Sequence, residues 1–178
     1  ITEVTLSREG RDCGLGCRQL SFAMPLSGWG AYRASERSVI YLSNTDVTQI
    51  FHLIDLLTGR EYRLHDDPLF AIGAYDINEN AITYVTFDRR ERQINTIWRY
   101  EIGECERHPI QTRTIDDYLG PVSIGESAIV WREGNSAANQ LFSSSLEGGE
   151  VTLLTPVNCL CYYDSTIIDR TVYFNGLH

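Results

Sequence analysis

The sequence predicts an all-β fold built from repeated four-stranded antiparallel meanders, and three observations lead there. Aromatic residues recur at a nearly fixed period. Short runs rich in Val, Ile and aromatics alternate in the period-2 manner of strands, and no window shows helical amphipathicity. The runs "SVIYLS" (Ser38–Ser43), "AITYVTF" (Ala81–Phe87), "AIVWRE" (Ala128–Glu133) and "TVYFN" (Thr171–Asn175) carry Tyr41, Tyr84, Trp131 and Tyr173, at steps of 43, 47 and 42 residues.

A second series follows the first three runs: "QIFHLIDLLTGREYRL", "NTIWRYEIGECERHPI" and "NQLFSSSLEGGEVTLL". Phe51, Trp98 and Phe142 align within it at steps of 47 and 44. A third series precedes the first: "GWGAYRAS", "AIGAYDIN" and "GPVSIGES", with "CLCYYDST" ahead of Tyr173. Each unit thus reads as four strands, A to D, joined by short polar turns. Ile50, His52 and Ile54 alternate with Phe51, Leu53 and Asp55, which is strand periodicity. In the third unit, strands C and D flank a Gly148-Gly149 turn.

Four short strands at a period of about 40–45 residues are the signature of β-propeller blades. A single blade cannot bury both faces, so neighbouring sheets must stack. Tyr41, Phe51, Tyr84, Trp98, Trp131 and Phe142 are therefore expected between sheets rather than at a ligand. The chain divides into an N-terminal strand and Cys-containing loop (1–27), blade 1 (28–67), blade 2 (68–116), blade 3 (117–156) and a partial blade 4 (157–178).

The endings of these units resemble those of TolB-type propellers. The resemblance rests on Leu141-Phe142, Leu146-Glu147-Gly148-Gly149-Glu150 and Leu153-Leu154-Thr155, and on Asp55-Leu56 and Thr58-Gly59 in blade 1. It covers roughly Gly28 to Asn175 and implies fold, not activity. Where such blades often carry Ser-Pro-Asp-Gly between strands A and B, this chain has "ASERS", "INEN" and "IGES". Propellers of this type close with six to eight blades, so about three and a half to four blades leave two arrangements open. Either the chain is part of a larger propeller, or Ile1–Ser7 ("ITEVTLS") joins the fourth blade as an outer strand. The first is preferred, because the second leaves an unpaired edge.

Composition narrows the function classes. With 178 residues, 43% hydrophobic and 22% charged, the chain can bury a sizeable core. A net charge of −9 argues against nucleic acid, whose phosphates need clustered cations. All 15 basic residues are Arg, which removes Schiff-base chemistry and a P-loop lysine. No apolar run approaches the roughly 20 residues of a membrane span. The chain opens at Ile1 without a leader pattern, so a processed terminus or an excerpt of a longer chain is expected.

Few constellations carry chemistry. "GNSAA" (Gly134–Ala138) imitates a nucleophile elbow, but that device needs a following helix, so Ser136 reads as a loop serine. His52, His65, His108 and His178 are scattered, with His52 placed on a strand face. Five cysteines are too few for a disulfide scaffold. Cys13 and Cys17 flank a Gly-Leu-Gly loop, Cys159 and Cys161 share a strand face, and Cys105 lies on a turn. Unlinked thiols, a Cys13–Cys17 disulfide and a four-sulfur zinc site are the three readings; the spacing disfavours the metal. No cofactor is expected.

Acidic residues recur at matching places. Asp66, Asp67, Asp116 and Asp117 lie in D-to-A connections, while Asp46, Asp88 and Glu91 lie in B–C loops. In a propeller both connections border one mouth of the central channel, where carboxylates would attract a cation or a basic peptide. Aspartates also simply make turns, and Arg89, Arg90 and Arg92 would partly neutralise the rim. The sequence thus points to a non-catalytic binding or scaffold module for a protein or peptide, or for further blades from the same or another chain. The alternative is the propeller portion of a larger enzyme, such as a prolyl-oligopeptidase-like serine peptidase with catalytic residues elsewhere. A metal-dependent propeller enzyme comes third, since no repeated His or Glu ligands support it.

Overall fold

The computed structural model describes residues 32–44, 48–90, 94–104, 106–114, 118–134, 139–155, 165–168 and 170–174. Among them are fourteen β-strands and no helix. The chain divides into two compact units, Ile1–Pro68 and Leu69–His178. The first holds one antiparallel sheet in the order β1 (Arg33–Ala34), β2 (Ser38–Asn44), β3 (Gln49–Asp55), β4 (Glu61–His65).

The second unit holds two more four-stranded meanders and a hairpin. One comprises β5 (Phe70–Ile77), β6 (Ala81–Asp88), β7 (Ile94–Glu101) and β8 (Glu106–Thr114). The other comprises β9 (Tyr118–Ile124), β10 (Ala128–Gly134), β11 (Asn139–Ser145) and β12 (Thr152–Leu153). The hairpin is β13 (Ser165–Ile168) with β14 (Thr171–Phe174). Its first strand is described from Ser165; most of "CLCYYDST", with the rest of residues 156–164, lies outside the described residues, as does Ile1–Ser7.

The turns repeat atom for atom. Ser35 N–H donates to Ser38 O, Asn78 N–H to Ala81 O and Gly125 N–H to Ala128 O, closing each A–B turn. A second bond ties each C–D turn to the A–B turn: Leu56 N–H to Arg37 O, Ile102 N–H to Asn80 O, Leu146 N–H to Ser127 O. The donors 56, 102 and 146 stand 46 and 44 residues apart, which fixes the alignment of the third strands.

That alignment corrects the sequence reading at Phe51. The residue equivalent to Trp98 and Phe142 is His52, because Tyr41 pairs with His52 as Tyr84 pairs with Trp98 and Trp131 with Phe142. Side chains alternate faces along a strand, so a slip of one moves Phe51 to the opposite face. Phe51 is nevertheless fully buried, with Ile40 and Leu53 beside it on that face. Of the six expected aromatics, Phe51, Tyr84 and Trp131 are fully buried, while Tyr41, Trp98 and Phe142 are half-buried.

Within the second unit the sheets stack as blades must. Val85, Ile97 and Ile110 of the β5–β8 sheet meet Leu119, Val122, Ile124, Ile129 and Trp131 of the β9–β12 sheet. Each such aliphatic side chain contributes about 1.5–3 kcal/mol when withdrawn from water. On the other face, Val130 and Leu141 pack against Ile167 and Val172 of the hairpin. The Gly148-Gly149 pair serves both turn and interface. Gly148 has φ +79° and a Cβ there would lie 2.9 Å from the Ile110 carbonyl oxygen, while Gly149 has φ +100°. The Gly149 carbonyl accepts a bond of 2.9 Å from Gln111 Nε2. Only glycine satisfies the left-handed turn and the close approach together.

Candidate functional site

Two residues beyond the second-strand aromatic, each blade places a polar side chain that bonds a ring nitrogen. In the first, Ser43 Oγ lies 2.6 Å from His52 Nε2. In the second, Trp98 Nε1 donates to Thr86 Oγ1 at 2.9 Å. In the third, Trp131 Nε1 donates to Glu133 Oε1 at 2.8 Å. The rings stack across the strands: Tyr41 on His52 at 4.5 Å, Tyr84 on Trp98 at 6.5 Å, Trp131 on Phe142 at 6.1 Å.

The first blade adds a carboxylate. Glu61 Oε1 accepts from Tyr41 Oη at 2.7 Å and lies 2.5 Å from His52 Nδ1, off the line of a hydrogen bond. Ser43, His52 and Glu61 thus stand in the order of an acyl-transfer triad, which sequence reasoning missed. The other blades supply its interpretation. Their equivalent positions hold Thr86 with Trp98, and Trp131 with Glu133, where an indole N–H only donates and has no lone pair with which to take a proton as a base. His52 and Glu61 are also nearly closed to solvent, 5% and 7% exposed. The cluster is a cross-strand rung in which imidazole replaces indole. The available signal was the aromatic-x-polar spacing itself, Tyr41-x-Ser43, Tyr84-x-Thr86 and Trp131-x-Glu133.

Burial, and then the Glu61 hydrogen bond and charge, push the Tyr41 phenol well above its ordinary pKa. Burial also raises Tyr84, opposed by the Arg107 guanidinium. Arg107 lies 5.1 Å from the Trp98 ring centroid, in cation–π range.

The loop ends hold the sequence-selected carboxylates. Asp66 is exposed and Asp67 half-exposed just past β4, and Thr48 Oγ1, beside the β2–β3 connection, donates to Asp66 O at 3.4 Å. The B–C and D-to-A connections therefore share one end of that sheet. In the second unit, Asp88 Oδ1 accepts the Arg90 N–H at 2.7 Å, a local turn bond, and Arg89 N–H donates to Leu69 O. Asp46, Glu91, Arg92, Asp116, Asp117, Ser136 and the five cysteines, Cys13 and Cys17 included, lie outside the described residues. Among the described residues no group of His, Cys, Asp and Glu is arranged to hold a metal ion. Nor is any helix there long and apolar enough to cross a membrane.

Comparison with known proteins gives the fold its class. No protein-family model matches the chain, and no curated protein is significantly similar to it. Solved structures do match. A TolB of Agrobacterium tumefaciens superimposes with TM-score 0.57 at 16% identity, covering 74% of this chain and 51% of that one. A nidogen/laminin complex gives TM-score 0.57 at 11% identity, covering 89% and 60%. The tricorn protease gives TM-score 0.56 at 14% identity, covering 88% and 17%. The chain spans about half the length of the TolB structure and less than two thirds of the others. The described sheets are blades of a β-propeller. More narrowly, the propeller is TolB-like, a likeness of fold.

Proposed function

We propose that this chain is a non-catalytic binding module whose loop end receives a basic segment of a protein or peptide. One observation carries the reading: the meander gathers B–C and D-to-A connections at one end of a sheet, and Asp66 and Asp67 stand at that end in the first unit. Asp88, expected in the B–C loop, is the last residue of β6 and stands where the B–C connection of its own sheet begins, and Asp46, Asp116 and Asp117 fall in such connections of the sequence. Carboxylates on an acidic chain of net charge −9 attract cationic partners and steer their approach.

Titrating a fluorescent arginine-rich peptide into the chain tests this. Binding should weaken as salt rises past about 0.15 M, where the Debye length falls to about 8 Å. The double variant Asp66→Asn, Asp67→Asn should bind several-fold more weakly. Absence of binding at low salt, or equal affinity in the variant, would overturn the proposal.

A second reading is that the chain forms the propeller portion of a larger enzyme. The likeness to the tricorn protease, of which the chain spans 17%, and to an oligogalacturonate lyase of Vibrio parahaemolyticus, of which it spans 43%, favours it. A Gly-x-Ser-x-Gly segment in the same reading frame would support a serine peptidase.

A further inference from the structure

The C–D turn of the first blade holds a guanidinium without an acceptor. Arg60 stands one residue before β4, and Asp55 N–H donates to its carbonyl at 2.8 Å, which extends the β3–β4 ladder. Side chains alternate along a strand, so Arg60 shares a face with Tyr62 and Leu64, both buried. Arg60 itself is half-buried. Its Nε and Nη1 are closed to water, and neither has a hydrogen-bond partner among the described residues.

The acids beside it in the chain are engaged elsewhere. Asp55 Oδ1, on the strand opposite, accepts the turn N–H groups of Leu57 and Thr58 at 2.8 and 3.2 Å. Glu61 lies on the other face with Tyr41 and His52. The turn also departs from its equivalents. Counted from the aligned donors 56, 102 and 146, the fourth residue on is Arg60, Glu106 or Glu150. Glu106 and Glu150 are exposed, as charges in a turn ordinarily are. Leu56 and Leu57 are 50% and 78% exposed, whereas Ile102 and Leu146 are half-buried. The first blade thus withdraws a charge from water and leaves two leucines in it.

We propose that Arg60 and the Leu56-Leu57 turn bind a monocarboxylate carried on an apolar body. A guanidinium taken out of water without an acceptor is costly, and a planar carboxylate takes two of its N–H groups at once. One guanidinium balances one negative charge. A phosphate dianion would add excess charge beside Asp55, on a chain of net charge −9. Leu56 and Leu57 supply apolar surface for the rest of the acid. The A–B and C–D turns lie at the end of the sheet opposite Asp66 and Asp67, so this site does not depend on the binding of a basic segment there.

Hexanoate is the probe, added to the 178-residue chain labelled at arginine nitrogen. It should shift one arginine Nε–H resonance saturably, beyond any shift from chloride at equal ionic strength, and Arg60→Gln should lack that resonance. Calorimetry should show Arg60→Gln binding hexanoate about tenfold more weakly, with Arg60→Lys, which keeps the charge and loses the fork, in between. Acetate should bind several-fold more weakly than hexanoate, and Leu57→Ser should narrow that gap. Without added acid, Arg60→Gln should unfold at no lower urea concentration, because it removes an unpaired charge. N-acetyl-leucine separates two sources of the carboxylate: binding tighter than hexanoate assigns it to a peptide chain end, and weaker binding to an alkyl acid. No shift beyond that of chloride, equal hexanoate binding by Arg60→Gln, acetate matching hexanoate, phosphate binding more tightly than hexanoate, or destabilisation by Arg60→Gln without acid would each overturn the proposal.

Discussion

Arg113 and Glu133 form a two-toothed ion pair across neighbouring blades: the guanidinium Nε and Nη2 donate to the two carboxylate oxygens at 2.8 and 2.9 Å. The same carboxylate accepts from the Trp131 indole at 2.8 Å, and the Arg113 guanidinium lies 5.6 Å from the Phe142 ring centroid. One arginine on β8 thus locks both members of the next blade's ring pair. Removing the acid strands a buried indole N–H and a guanidinium that is one third exposed. Glu133→Ala should therefore cost about 2–3 kcal/mol, below the range for a wholly buried pair. A urea midpoint unchanged by Glu133→Ala would contradict the clasp.

The two tryptophans in stacked pairs should not be equivalent. Trp131 is fully buried between sheets, so Trp131→Ala should cost about 3–5 kcal/mol. Trp98 is half-buried and loses only its Thr86 bond, one stacked face and the Arg107 contact, so Trp98→Ala should cost about 2 kcal/mol. Denaturant curves for both variants check the order. Equal losses would mean the burial contrast has no energetic weight.

Alkaline pH should weaken the fold through its tyrosines. A phenol whose pKa is higher folded than unfolded leaves stability intact below the unfolded value, near 10, and loses it progressively as pH rises above that. Tyr41 and Tyr84 are both shifted upward, so stability should fall from about pH 10 onward. With no lysine in the chain, amine titration does not obscure the range. Tyr41→Phe should flatten the slope of stability against pH between about 10 and 12. An unaltered slope would rule out Tyr41 as its source.

The paired glycines should respond differently to a methyl group. Gly149→Ala meets open space and suffers only backbone strain, about 1 kcal/mol. Gly148→Ala adds a clash with the Ile110 carbonyl and should cost about 2–3 kcal/mol. Thermal unfolding of the two variants separates these terms; a larger loss at Gly149 would contradict the turn geometry.

Strand positions were legible because Tyr41, Tyr84 and Trp131 sit in period-2 runs that only a sheet buries well. The third strand of the first blade was misaligned by one because Phe51 looks like Trp98 and Phe142, whereas the ring in register is His52. An imidazole carries less apolar surface than an indole, so hydrophobic matching passes over it. The polar residue two positions after each aromatic held the missing information. The Glu61 contact and the Arg113 clasp were not legible, since they join strands through folds of the chain that spacing alone does not specify. The carboxylates could be placed only as loop residues, because strand patterning fixes where a loop begins but not what it binds.

The central claim is that one register-locked ring pair recurs in every complete blade. Nuclear Overhauser contacts between assigned ring protons test it most directly. The structure requires contacts for Tyr41 with His52, Tyr84 with Trp98 and Trp131 with Phe142, and none between the rings of Tyr41 and Phe51, which lie on opposite faces. A Tyr41–Phe51 ring contact in place of Tyr41–His52 would contradict the shared register and the blade equivalence built on it.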